Sequence, residues 1–241
     1  MTGLVSETVL AAPRKPFWRG LRLFVVTCLI AVAGTVVAVF ILAVFNPKLV
    51  RGSTATLSLQ VAGLVVYAGV ALFLFARLPR LTGETPVQIG LRMPRLADIG
   101  LVIGALAIML VADLALGAWL AHLHIKHTQV GFENFKADGF AAIVATQLTG
   151  SVGAPVAEEL LFRGVLFRTL AWRMPVVVAA LTSAVIFSSI HGDLTLFPIL
   201  ALLGFLAALL YRRTGNLVVS MLFHSLNNVV GLSLLIAKHP A

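Results

Sequence analysis

Three short stretches of this chain carry side chains that can do acid–base chemistry, each at helical spacing. The first is Glu158-Glu159-Leu-Leu-Phe-Arg163. Glu159 and Arg163 are four residues apart, so on a helix they share a face and can pair, with the glutamate on the favourable N-terminal side. Glu158 points about 100° away and cannot use that face. Once Arg163 neutralises Glu159, Glu158 is left as a separate carboxylate suited to proton transfer. The second stretch is Phe187-Ser-Ser-Ile-His191, again four apart, where the aromatic ring can pack on the imidazole and limit its rotation. The third is His224-Ser-Leu-Asn-Asn228, whose His and Asn project to one side of a helix about one turn apart. Two adjacent hydrogen-bond donors of that kind suit the stabilisation of a developing oxyanion. Asn227 falls on another face and reads as a packing or interhelical hydrogen-bonding residue.

These residues sit in an apolar chain. Of 241 residues, 60% are apolar and 11% charged, and the mean hydropathy is +1.03; a soluble domain carries roughly 25% charged residues. A soluble globule of this size has too little polar surface for such a composition. The numbers exclude a soluble enzyme, a disordered chain and a disulfide scaffold, and predict an all-α, polytopic transmembrane bundle. Lys and Arg number 18 against 9 Asp and Glu, a net charge of +9. In a membrane protein such residues flank the spans and face anionic lipid, so no nucleic-acid partner is implied. Cys28, the single cysteine, excludes an internal disulfide and a cysteine-rich metal site.

A span needs about 20 mainly apolar residues. Seven candidates follow, with an eighth, re-entrant piece left open: Leu23–Phe45, Leu57–Ala76, Ala97–Ala121, Gly139–Leu161, Pro175–His191, Leu194–Tyr211 and Leu217–Ala237. The first is too long for a signal-peptide core and reads as a retained anchor; residues 1–22 before it read as a basic cytoplasmic segment. With the N-terminus inside, thirteen basic residues lie on the inner side: Arg14, Lys15, Arg19, Arg22, Arg77, Arg80, Arg92, Arg95, Arg163, Arg168, Arg173, Arg212 and Arg213. Five lie outside: Lys48, Arg51, Lys126, Lys136 and Lys238. That bias favours N-in, C-out. Thr82–Pro94, with Gly83, Pro86 and Pro94, reads as an inner surface loop. Gly100 and Gly104 form a GxxxG, a signal of close helix contact that chance in an apolar helix also produces. Gly192-Asp193 reads as a tight outer turn.

Ionisable groups inside hydrocarbon are costly and mark function. Pro155 lies three residues before Glu158, with Gly150, Ser151 and Gly153 upstream. It removes a helical hydrogen bond and loosens the preceding turn, which at membrane depth survives where the backbone is buried in protein or lines a watery cavity; a simple proline kink is the alternative. If the fourth and fifth spans form a hairpin turning at Met174-Pro175, Glu158 and His191 rise the same height from the turn, about 24 Å. His224 stands about 14 Å above its own turn near Gly215. The heights agree only if the first hairpin projects about 10 Å further.

In this order, the three elements resemble the CPBP family of intramembrane proteases (CAAX prenyl protease type II, or Abi, bacteriocin-processing). Its pattern of EExxxR, FxxxH and HxxxN is met by Glu158-Glu159…Arg163, Phe187…His191 and His224…Asn228. The resemblance covers about residues 139–237, taken as the catalytic core of a single membrane domain spanning 1–241. It implies a glutamate-dependent endopeptidase in a bacterial cell membrane, acting on a peptide or protein substrate at the bilayer, such as a CAAX-like tail. Glu158 would be the general base, His191 would hold and polarise the attacking water, and His224 and Asn228 would form the oxyanion hole. Glu159 and Arg163 would support the site, and Phe187 would pack beside His191. No cofactor is implied. A zinc version is the alternative, with Glu158, His191 and His224 as three ligands and one open position, although HExxH is absent. A non-catalytic scaffold or immunity-type protein on the same fold, and a transporter relaying protons through Glu and His, are the rival readings. Asp113, mid-span, has no partner legible in the sequence. His122, His124 and His127 cluster past that span as a solvated loop or a metal site.

Overall fold

The computed structural model describes residues 17–45, 55–125 and 135–238, with side chains described within 17–45, 57–125 and 139–237. Arg14, Lys15, Lys48, Arg51, Lys126 and His127 lie outside the described residues. Among those described there is no strand. The helices are α1 (Phe17–Phe45), α2 (Ala55–Thr82), the short α3 (Pro86–Ile89), α4 (Leu96–His122), α5 (Gly139–Ala171), α6 (Val176–Ser189), α7 (Phe197–Thr214) and α8 (Leu217–Lys238). Six are long and apolar enough to cross a membrane and α6 is a shorter apolar helix, so the protein is a polytopic bundle of about seven spans. Outward-facing Val, Leu, Ile and Phe on α1, α2 and α4 are what a hydrocarbon solvent permits and water would not.

Helix α5 is the axis of the bundle. It packs against α1, α2, α6 and α8 and touches α7, and α4 covers α7 and α8 from outside. Two stretches of α5 wind as π-helix. Thr149–Gly153 lies directly before Pro155, whose missing N–H opens the turn; the helix passes through without breaking. The second, Leu160–Phe167, buries all eight of its residues. Such a stretch does not betray itself in a 3.6-residue periodicity.

Helix α5 also runs on to Ala171, ten residues past the expected Leu161. Arg163 and Arg168 are therefore interior, 0% and 2% exposed, and not in an inner loop. Removing them from the charge count leaves eleven residues against five, with the same sign of bias. The extra length supplies the expected offset. Gly164 lies against Leu217, the first residue of α8, since a Cβ there would meet Leu217 Cδ2 at 3.6 Å. The seven residues from there to Ala171 add about 10 Å.

Thr82–Pro94 lies at the surface for much of its length, with Gly83, Thr85, Pro86, Val87, Gln88 and Met93 exposed, but it is more than a loop. Thr85 and Gln88 form a capping box around α3, and Gly90 closes it in the left-handed conformation at φ 102°. Ile89 is fully buried and its carbonyl accepts a hydrogen bond of 2.8 Å from Tyr211 Oη. Leu217 N donates to Gly90 O at 2.8 Å, and Arg92 Nη2 donates to Thr214 O at 2.9 Å. Arg168 pairs with Glu84 and donates to Tyr211 Oη at 3.1 Å. The segment is a polar clip that fastens α2 to α5 and to the α7–α8 turn. By contrast, open space surrounds Gly100 and Gly104 among the described residues, so their GxxxG brings no helix of this chain close. At the other end of α6, Gly192 has φ 71°, and Asp193 Oδ1 accepts from Thr195 N at 2.8 Å and Leu196 N at 3.2 Å, forming the expected tight turn.

A Cβ on Gly90 would lie 2.7 Å from both Gly215 O and Leu217 N. Gly90→Ala should cost at least about 1–2 kcal/mol from the left-handed backbone alone, read as a lowered unfolding midpoint in detergent, whereas Gly100→Ala should leave that midpoint unchanged.

Candidate active site

The site forms where α5, α6 and α8 meet. Glu159 is the most enclosed member, 0% exposed. Its Oε1 receives Arg163 Nη1 at 2.8 Å, as the four-residue spacing predicts, and also lies 3.0 Å from His224 Nδ1. Arg163 spends another donor on the Gly204 carbonyl at 2.8 Å. Gly204 can offer it because α6 and α7 nearly touch there: a Cβ on Gly204 would be 3.1 Å from Ala184 Cα. Sequence reasoning missed this partner. The signal was the small residues Ala180, Ala184, Gly204 and Ala208, which permit close helix approach.

Glu158 is partly open, its side chain 16% exposed, and its Oε2 lies 3.8 Å from His224 Nε2. The two carboxylates do use different faces of α5, yet both address one imidazole, because the ring carries nitrogens on opposite sides. Arg163 pairs with Glu159 and not with Glu158, while the shared imidazole is a contact that the sequence reading did not foresee. Glu159, ion-paired to Arg163, acts as an acceptor, so His224 Nδ1 carries a proton toward it. That bond fixes the ring and aims Nε2 at Glu158. A separation of 3.8 Å is too long for a direct hydrogen bond.

His191 ends α6, exposed, with Nδ1 2.7 Å from the Phe187 carbonyl. A carbonyl can only accept, so Nδ1 holds the proton and Nε2 is left free. Both His191 and His224 are within electrostatic reach of Glu158. Phe187, fully buried, stands between them. Its ring centroid is 4.7 Å from that of His191 and 5.7 Å from that of His224, and Arg163 Cζ lies 5.0 Å from it on the far side. Phe162 closes edge-on at 5.0 Å.

Asn228, half-buried, donates from Nδ2 to the Gly150 carbonyl at 2.8 Å, tying α8 to the π-turn. Asn227 Nδ2 reaches Asn228 Oδ1 at 3.5 Å. Tyr67 of α2, also absent from the sequence motifs, packs on the same turn; a Cβ on Gly153 would meet Tyr67 Cβ at 3.6 Å. Asp113 is exposed on α4. His122 and His124 are exposed beyond the site, and His127 lies outside the described residues. Among the described residues, no group of three or more His, Cys, Asp or Glu side chains stands together in a way that could hold a metal ion. The arrangement as a whole offers one partly open carboxylate, two imidazoles with oriented free nitrogens, and an amide, against a wall of aromatic rings.

Comparison with known proteins falls on the same region. Residues 140–230 match the family described as Type II CAAX prenyl endopeptidase Rce1-like, a stretch that contains all three motifs and supports the resemblance read from them. A protein of Bacillus subtilis (strain 168) named "Putative membrane peptidase YdiL" is 33% identical over 98 residues, which is 40% of this chain and 40% of that one. The matched part therefore spans well under half of the curated relative. No solved structure matches the chain.

Removing one partner of a buried ion pair leaves the other uncompensated, at a cost of about 3–5 kcal/mol. Arg163→Met should lower stability by that amount in detergent unfolding, and Glu159→Gln added to it should recover part of the loss.

Proposed function

We propose that this chain, which over residues 140–230 belongs to the Rce1-like type II CAAX prenyl endopeptidase family, is an integral membrane endopeptidase that hydrolyses peptide bonds with a Glu158-activated water. The observation that carries the reading is the pair of contacts on His224. Glu159 holds Nδ1 at 3.0 Å and Nε2 faces Glu158 Oε2 across 3.8 Å. A single water lying beside the line between the two groups can hydrogen-bond to both.

In this reading Glu158 takes a proton from the water as its oxygen attacks the scissile carbonyl carbon. His191, its Nε2 free, accepts the water's other hydrogen bond and orients it. The new C–O bond places negative charge on the carbonyl oxygen. Asn228 and His224 supply donors to that oxygen, His224 from Nε2 with the ring carrying both protons. Glu158 then returns the proton to the amide nitrogen as the C–N bond breaks, giving a carboxylic acid, which keeps the water's second proton, and an amine; together they equilibrate to carboxylate and ammonium. Glu159 and Arg163 fix His224, and Phe187 fixes both rings. The substrate is a peptide or protein segment at the bilayer, with CAAX-like C-terminal tails one class consistent with the family. The membrane is that of a bacterial cell, with the N-terminus on the cytoplasmic side, a placement supported by the remaining basic bias. No metal takes part; the zinc version would need Glu158, His191 and His224 as ligands.

Two measurements test this. Peptides trapped by Glu158→Gln should be cleaved by the unaltered protein, and Glu158→Gln and His191→Ala should each lose at least about a hundredfold in rate, the lower range for a general acid–base contribution, while inserting into membranes normally. Cleavage near the native rate in both variants would overturn the mechanism. Activity of the purified protein should also survive prolonged dialysis against a strong chelator; a loss reversed only by zinc would replace the metal-free mechanism.

A further inference from the structure

Hydrolysis in a bundle surrounded by lipid needs a route for its second substrate, water. Outside the catalytic groups, α5 and α8 share a set of polar side chains that the reaction does not use. Gln147 Nε2 donates to Ser233 Oγ at 3.1 Å, and Ser151 Oγ donates to Gln147 Oε1 at 3.0 Å. Asn227 Nδ2 approaches Asn228 Oδ1 at 3.5 Å, and Asn228 donates to Gly150 O at 2.8 Å. The set thus runs from the exposed Ser233, through the half-buried Gln147 and Asn227, to the buried Ser151 and the site amide. On α8 it covers the six residue steps from Asn227 to Ser233, about 9 Å.

Interhelical glue accounts for the bonds just given but not for what they leave over. An amide offers two N–H groups and a carbonyl oxygen with two lone pairs, and a hydroxyl both donates and accepts. After those bonds, Gln147 retains a second N–H, Ser233 its own O–H, and Asn227 its carbonyl oxygen; among the described residues none of these has a partner. In hydrocarbon each would cost several kcal/mol if left dry. A water needs two to four polar partners, and adjacent residues here provide them in succession. The sides of the seam are apolar: Leu148, Leu226 and Val230 are exposed next to it, at 48%, 38% and 49%.

We infer that the seam formed by Gln147, Ser151, Asn227 and Ser233 between α5 and α8 is the inlet that conducts water to the catalytic groups. The inference rests on the hydrolytic reading above but is tested without it. Cys28 is the single cysteine, so Cys28→Ser gives a background for single-cysteine reporters in the full chain. Gln147→Cys and Asn227→Cys sample the seam. Leu148→Cys and Leu226→Cys, each one residue away and thus within about 1.5 Å in depth, sample the apolar flank. The protein is reconstituted in phosphatidylcholine vesicles opened with mild detergent, treated with a charged, membrane-impermeant methanethiosulfonate, and followed by intact mass. Thiolate formation and reagent both require water, so the seam cysteines should react at least tenfold faster than their neighbours. Equal rates within each pair, or a faster flank, would overturn the inlet. Neither outcome depends on cleavage, so loss of the inlet and loss of the proposed reaction are separately visible.

Discussion

A full charge cannot be left alone in the interior of a membrane protein, and the Glu159–Arg163 pair is how this bundle meets that constraint. Both side chains are fully buried. Desolvating two ions costs several kcal/mol each, offset only where geometry is good and the remaining donors are used. The i, i+4 spacing sets the geometry within one helix, and two further bonds reach other helices, to the Gly204 carbonyl of α7 and the His224 ring of α8, while Glu159 Oε2 and Arg163 Nε have no hydrogen-bond partner among the described residues. The pair therefore does more than cancel its own charge. It specifies which residues of α7 and α8 lie against α5, and so fixes the bundle around the place where chemistry is proposed.

The same pair separates the roles of the two adjacent glutamates. Glu159 has its charge committed to Arg163 and its geometry committed to His224. Glu158, one residue earlier, lies on the open side and has neither commitment. Two carboxylates with different surroundings take different tasks in many acid–base sites. Here the distinction comes from a rotation of one helical residue step, with the wide turn at Thr149–Gly153 and the all-buried π stretch at Leu160–Phe167 on either side of it. Local departures from α-geometry of this sort recur at functional sites, because they let a helix present neighbouring residues to partners that regular winding would not serve together.

Much of this was legible from the amino-acid order. Hydropathy alone located every span to within a few residues at most ends, because the hydrocarbon thickness leaves little freedom in length. The three site elements were legible because each is a pair of side chains four residues apart, two of which, Glu159–Arg163 and Phe187–His191, are also in contact. What failed was whatever depends on another helix. Arg163 and Arg168 read as loop residues since a basic residue after an apolar run usually marks a membrane boundary; the Glu159–Arg163 spacing was legible, but nothing local announces that the Gly204 carbonyl, Glu84 and Tyr211 wait on other segments to receive the two guanidinium groups. Thr82–Pro94 was legible as a surface segment from its Gly and Pro, but the buried Ile89–Gly90 end and the bonds by which it grips α5 and the α7–α8 turn were not. The shared imidazole escaped for a related reason: angular separation on α5 says where two side chains leave the helix, not whether a ring across the gap is wide enough to meet both.

Phe187 shows why the tertiary part matters for chemistry. Spacing placed it beside His191, and it is there, but its ring also lies against His224 and under the Arg163 guanidinium. A single aromatic ring with only two side-chain torsions thus touches two imidazoles from different segments and the guanidinium of the buried ion pair. A cation over an aromatic face is attracted most when desolvated, so the arrangement gains from the very burial that makes the charge costly. Side chains held this way keep their orientation without a ligand, and preorganisation of that kind is where electrostatic stabilisation of a transition state acquires its size in enzymes generally. The apolar surroundings that would penalise a loose constellation are therefore what hold this one in register.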